Sequence, residues 1–136
     1  MLRASRVTVF TMHDVERLGI ARVIELALEA VDPNGIRPLH LSLDIDAVDP
    51  LYAPGTGTTA TGGLTPREVK YVCTELGRSK RLVGMDLVEV NPDLDPAPTD
   101  GMQPMHGDNP AMRAGLSPTV KLAVECVLAT LDDAMR

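Results

Sequence analysis

Apolar and polar residues alternate through PLHLSLDID at 38–46, with Leu39, Leu41, Leu43 and Ile45 on one side. His40, Ser42, Asp44 and Asp46 take the other. Successive side chains of a strand point to opposite faces, so this run predicts a half-buried strand. Two further strands are predicted, a short β-branched and aromatic run at 7–10 and LVGMDLVEV at 82–90. Between them the period changes. From Val15, apolar residues recur at Leu18, Val23, Ile24, Ala27, Leu28 and Val31, the spacing of a helix face, with residues 11–14 able to cap its start. Asp32-Pro33-Asn34-Gly35 stops that helix with turn chemistry. Thr65-Pro66-Arg67-Glu68 combines an N-cap, Pro at the first helical position and Glu at the third, predicting a helix to about Gly77. Ser117-Pro118 opens a last helix with an apolar stripe of Val120, Ala123, Val124, Val127, Leu128 and Leu131.

The predicted order is β-α-β-loop-α-β-loop-α. Strands alternating with helices predict an α/β fold with a parallel sheet and helices on both faces. Two long loops interrupt it, one rich in Gly, Thr and Pro at 47–63 and a proline-rich one at 91–116. With 136 residues the chain is expected to form one domain. Aromatics make up only 2%, so the core must be aliphatic. A formal charge of −6 leaves no basic face for nucleic acid or an anionic membrane, and neither is expected as a partner. No run approaches the length of a membrane span, and the opening MLRASRV leads straight into a strand-like VTVF without the apolar core of a signal peptide. The default expectation is cytoplasmic. Cys73 and Cys126 sit among apolar neighbours in predicted helices and read as buried free thiols.

The sharpest local chemistry is the pair Asp44 and Asp46. On a strand they would project the same way, at the C-terminal end where α/β sheets place their ligand crevices. Two carboxylates that close repel, and coexist ionised only with a cation between them. Oxygen donors of this kind suit a Mg- or Mn-type ion. An isolated D-x-D is more often a pair of turn-capping aspartates. Here its context carries more.

Residues 44–68 read DIDAVDPLYAPGTGTTATGGLTPRE. This closely resembles the signature of the ureohydrolase (arginase/agmatinase) family, a strand ending in D-x-D followed by D-P, A-P-x-T-G-T and G-G-L-T-x-R-E. LVGMDLVEVNP at 82–92 is similar to the family's next strand and its Glu, and MHDVERLGI at 12–20 to the arginase segment before its helix. The resemblance implies the C-terminal part of a ureohydrolase domain over 1–136, with no separate second domain. Its fold would be part of a three-layer αβα arginase-like architecture with a parallel sheet. It implies two Mn(II) ions in the complete site, with Asp44 bridging them and Asp46 binding one. Thr58 falls on a position beside the substrate, and Glu89 on the carboxylate that pairs with the substrate guanidinium. A carboxylate accepting a forked pair of hydrogen bonds suits a planar guanidinium on general grounds.

The implied reaction is arginase-like, L-arginine and water to L-ornithine and urea, with this chain supplying only part of the site. Asn91 in EVNP and the DVERLGI segment lean toward arginase over an agmatinase-type guanidino hydrolase. Family assemblies are trimers or hexamers, so a homo-oligomer is expected of the full-length protein. The family's Gly-Gly-Asp-His and Asp-Ala-His-x-Asp motifs, which carry the other metal ligands, and its further catalytic His are absent from the sequence. His40 lies roughly 13 Å from Asp44 along a strand, too far to share an ion, and reads as a core histidine. His106 with Asp108 is a lone H-x-D match in the second loop. No catalytic residue is assigned in this segment, and the isolated chain is expected to be inactive. A truncated, non-catalytic module docking on full-length subunits is the competing reading.

Overall fold

The computed structural model describes residues 7–96 and 117–134. Among these residues, four helices and two strands run in the order α1 (Met12–Leu18), α2 (Ile20–Val31), β1 (Leu39–Asp44), α3 (Pro66–Arg78), β2 (Leu82–Val88) and α4 (Pro118–Ala134). Two short 3-10 turns, Ile45–Ala47 and Pro92–Leu94, sit just beyond the strands.

Local chemistry accounts for most of these boundaries. The Thr11 backbone N–H and hydroxyl both donate to Asp14 at 2.8 Å and start α1. One continuous helix was expected through 31; Gly19, at φ 77° and ψ 151°, divides it in two. That backbone is open to glycine without a Cβ penalty. At α3 the capping box is complete, with the Thr65 N–H and hydroxyl donating to Glu68 at 2.8 Å and the Glu68 N–H returning to Thr65 Oγ1 at 3.3 Å.

β1 and β2 pair in parallel, joined through α3. The register shifts by one after Leu39↔Leu82, so that His40 pairs with Gly84 and Asp44 with Val88. The two strands therefore end side by side. Residues 7–10, expected as a third strand, are not one: a strand exists through its ladder, and this run pairs with neither β1 nor β2.

The inner face of the sheet meets α3 and α4. Leu43, Ile45, Val48, Ala53, Val69, Cys73, Leu122, Ala123 and Cys126 form one buried cluster, with Leu41, Met85 and Leu87 packed against it. Fully burying a side chain such as Ile45, Val48 or Val69 contributes about 1.5–3 kcal/mol. Both cysteines are free and fully buried, as expected. The outer face, with His40, Ser42, Asp86 and Val88, is exposed, so the described residues form one covered side of a layered α/β fold.

The buried face of α4 differs from the expected stripe. Thr119, Leu122, Ala123, Cys126 and Thr130 face inward, whereas Val124, Leu128 and Leu131 are 42–53% exposed. Hydropathy misassigned this helix because its hydroxyls are satisfied inside: Thr130 donates to the Cys126 carbonyl at 2.9 Å, and Thr119 is bonded in both directions.

Asp32 ties the turn after α2 to the start of β2. Its carboxylate accepts from the Arg37 N–H at 2.7 Å and from the Arg81 guanidinium. The Arg37 N–H, with the Arg81 charge, holds the carboxyl below its usual range against the opposing effect of burial.

Candidate metal and substrate site

The site grows from the way β1 ends. Asp44 is the last strand residue, and its Oδ1 accepts the Asp46 backbone N–H at 3.1 Å. That bond turns the chain into the 3-10 turn, so Asp46 lies in the turn and not on the strand as expected. Ile45 and Val48, at 0% and 1% exposure, anchor the turn from beneath. Asp44 and Asp46 are left half-buried above them.

The two carboxyl groups lie close enough to interact. Burial pushes the Asp46 carboxyl above its usual range, and the Asp44 charge and a hydrogen bond between the two side chains add to the rise. Such a pair is relieved by a shared proton or a hard cation. The donors therefore fit Mn(II) chemistry as part of a coordination shell. Among the described residues no group of three or more His, Cys, Asp or Glu comes together to complete it.

Glu89 follows the end of β2 and is exposed. Since Asp44 pairs with Val88, Glu89 leaves the sheet at the same edge as the aspartates. Its φ is 63°, a left-handed backbone uncommon for a residue with a Cβ and frequent at ligand sites. Asn91 follows with two roles: its N–H donates to the Gly55 carbonyl at 2.8 Å, and its Oδ1 accepts the Asp93 N–H at 3.1 Å.

Thr58 is exposed in the loop that leaves the 3-10 turn. Asp49 holds that loop by both ends, accepting from Leu51 N–H at 2.9 Å and Gly62 N–H at 2.7 Å. Those two bonds, with a further one from Gly63 N–H, keep its carboxyl below the usual range. The loop's return is sealed by a bridge between Val48 and Leu64.

His40 is not the core residue expected. It is half-exposed on the outer face, with Nε2 2.9 Å from Asp86 Oδ2. A diagonal partner on β2 thus satisfies it where burial was expected. His106, Asp108 and the rest of 97–116 lie outside the described residues. The polar residues missed in the sequence are Asp95 and Thr119, which bond to each other 24 positions apart. No local motif links them.

The sequence model of the Arginase family matches residues 1–105. The chain belongs to the arginase family. It is similar to an arginase of Schizosaccharomyces pombe, 53% identical over 93 residues, which is 68% of this chain and 29% of that protein. In structure it resembles Bacillus subtilis arginase, with a TM-score of 0.74 and 34% identity over 96% of this chain and 39% of that one. An Entamoeba histolytica arginase crystallised with L-ornithine gives 0.73 and 27%, over 96% and 37%. This arginase-family chain thus spans about a third of the length of these relatives, and it shares their α/β fold with a parallel sheet. No helix among its described residues is long and apolar enough to cross a membrane.

Proposed function

We propose that this chain is the C-terminal part of an arginase, contributing two manganese ligands and the guanidinium-binding carboxylate to a site completed elsewhere in the protein. The observation that carries the reading is the Asp44–Asp46 pair, with Asp46 pushed up by burial and by its neighbour, beside a strand end from which Glu89 emerges.

Asp44 and Asp46 would hold the manganese, and bound manganese supplies the activation of water for attack on the guanidinium carbon. The remaining steps in this segment are binding and orientation. Glu89 accepts two hydrogen bonds from the guanidinium and offsets its charge, which presents the planar carbon in one orientation. Thr58 lines the substrate side of the loop. Water adds across the C–N bond, and urea and L-ornithine leave. Arginine is favoured over agmatine by Asn91 and by similarity to proteins named arginase, one of them bound to L-ornithine. An oligomer of full-length subunits is the expected working form.

The experiment uses the complete polypeptide that carries this segment, purified with Mn(II), assayed for urea release and metal content. Asp44→Asn and Asp46→Asn should lose metal and activity together. Glu89→Gln should keep its metal and lose turnover, because it removes the counter-charge and leaves the ligands alone. Equal metal loss in all three variants would show this division of roles to be wrong, and faster urea release from agmatine than from arginine would reassign the substrate.

A further inference from the structure

We propose that Asp95 and Thr119 are positioning residues that set Glu89 and Thr58 in place through Gly55. The proposal rests on the assignment of Glu89 and Thr58 to the guanidinium site. The Thr119 side chain is fully buried, and its hydroxyl is used in both directions. It accepts the Gly55 N–H at 2.8 Å and donates to Asp95 Oδ1 at 2.6 Å. Asp95 Oδ2 accepts the Thr119 N–H at 3.1 Å, at the start of α4. The Gly55 carbonyl accepts the Asn91 N–H at 2.8 Å.

Gly55 therefore has both backbone polar groups committed, one toward α4 and one toward the segment after β2. Asp95 closes over it so tightly that a Cβ on Gly55 would lie 2.7 Å from the carboxyl carbon. A buried hydroxyl is a poor filler for a core unless it is bonded, and an apolar side chain would suit the neighbours Leu122, Ala123 and Cys126 better. The hydroxyl at 119 is explained by what it holds.

What it holds lies on the substrate side. Glu89, two residues before Asn91, keeps a left-handed backbone at φ 63° that persists only where the surroundings over-determine it. The Asn91–Gly55 bond is that restraint, and Thr119 and Asp95 keep Gly55 where it can supply it. Without them the segment after β2 relaxes toward extended backbone and moves Glu89 from the strand end it shares with Asp44. Thr58 is three residues beyond Gly55 and shifts with it. Asp44 and Asp46 stand on β1 and its own turn, so their metal should be untouched.

The test is steady-state kinetics of the complete Mn(II)-loaded polypeptide with arginine. Thr119→Val keeps the size and removes the hydroxyl, leaving the Gly55 N–H and one Asp95 oxygen unpaired. KM should rise about tenfold or more, with kcat falling less than KM rises and manganese content unchanged. Thr119→Ser should return KM to within about twofold of the parent, since it restores both bonds. Asp95→Asn keeps the shape but turns an amide toward one of two donors. It should raise KM in the same way, and it carries the test if Thr119→Val does not fold. A purely structural role would lower the unfolding midpoint and the active fraction and leave KM where it was. Parent-like KM in the folded variants, or a Ser variant as impaired as the Val, overturns the proposal. Glu89→Gln, run alongside, separates the two levels. If it turns over like the parent, or if the parent itself releases no urea, the guanidinium assignment fails and takes this proposal with it. If Glu89→Gln is inactive while the network variants keep the parent's KM, only the positioning role fails.

Discussion

Replacing Gly63 by Ala should strongly destabilise the loop that carries Thr58, because the added methyl meets backbone atoms. A Cβ there would lie 2.7 Å from the Ala47 carbonyl oxygen, 2.8 Å from the Asp49 nitrogen and 2.9 Å from the Val48 carbonyl carbon. All three are backbone atoms, and ordinary contact begins near 3.4 Å, so the two chain segments would have to part by several tenths of an ångström. The same atoms make the bridge that closes the loop, with Leu64 N–H to Ala47 O at 2.8 Å and Asp49 N–H to Leu64 O at 3.0 Å. Losing or lengthening both bonds costs about 1 kcal/mol each. Displacing Val48, which is 1% exposed, adds an overpacking cost of about 1–3 kcal/mol. Restricting the unfolded chain returns about 0.4–1 kcal/mol, leaving a net loss of about 2–5 kcal/mol. Two neighbouring glycines serve as controls. Gly62 has open space but φ 85°, so Gly62→Ala should cost about 1–2 kcal/mol for a different reason. Gly57 has neither constraint, and Gly57→Ala should fall within about 0.5 kcal/mol of the parent. Urea unfolding of the complete polypeptide, followed by circular dichroism, gives the order directly. If Gly63→Ala and Gly57→Ala unfold at the same urea concentration, the close-approach argument is wrong.

Two further outcomes follow from the same structure. Asp49 keeps its carboxyl below the usual range, so the stability it contributes is complete above that range and is lost as pH falls through its lowered value. Between about pH 5 and pH 3 the parent should therefore lose more unfolding midpoint than Asp49→Asn does, and parallel pH profiles would refute this. The 136-residue chain alone, with excess Mn(II), should release no urea from arginine above a metal-only blank, because two carboxylates are too few ligands to hold the ions. Turnover by the isolated chain would mean that a residue such as His106 or Asp108 completes the site.

Much of the protein was legible locally because the governing interactions are local. The alternation at 38–46 selects the face of β1 that enters the core, and it does so with Leu39 and Leu43 buried and His40 and Ser42 exposed. The Thr65–Glu68 box starts α3 with its own side chains. The D-x-D and its following motifs pointed to the family from residue identity alone, and the match over 1–105 agrees.

Tertiary structure decided what depends on distant partners. Whether residues 7–10 form a strand is a question of ladder partners, not of β-propensity. Which side of α4 turns inward was set by Gly55 and Asp95, which satisfy Thr119 from outside the helix, while Thr130 bonds back to the Cys126 carbonyl within it and Val124, Leu128 and Leu131 are left outside. Asp46 left the strand because the Asp44 carboxylate captured its N–H, a bond that alternation along the strand does not reveal, and the Asp44 charge still reaches the Asp46 carboxyl. The left-handed backbone of Glu89 and the bond between Asp95 and Thr119 leave no mark on periodicity. They arise from contacts between segments far apart in the chain, whose energies enter only once the strands, the loop and α4 are packed together.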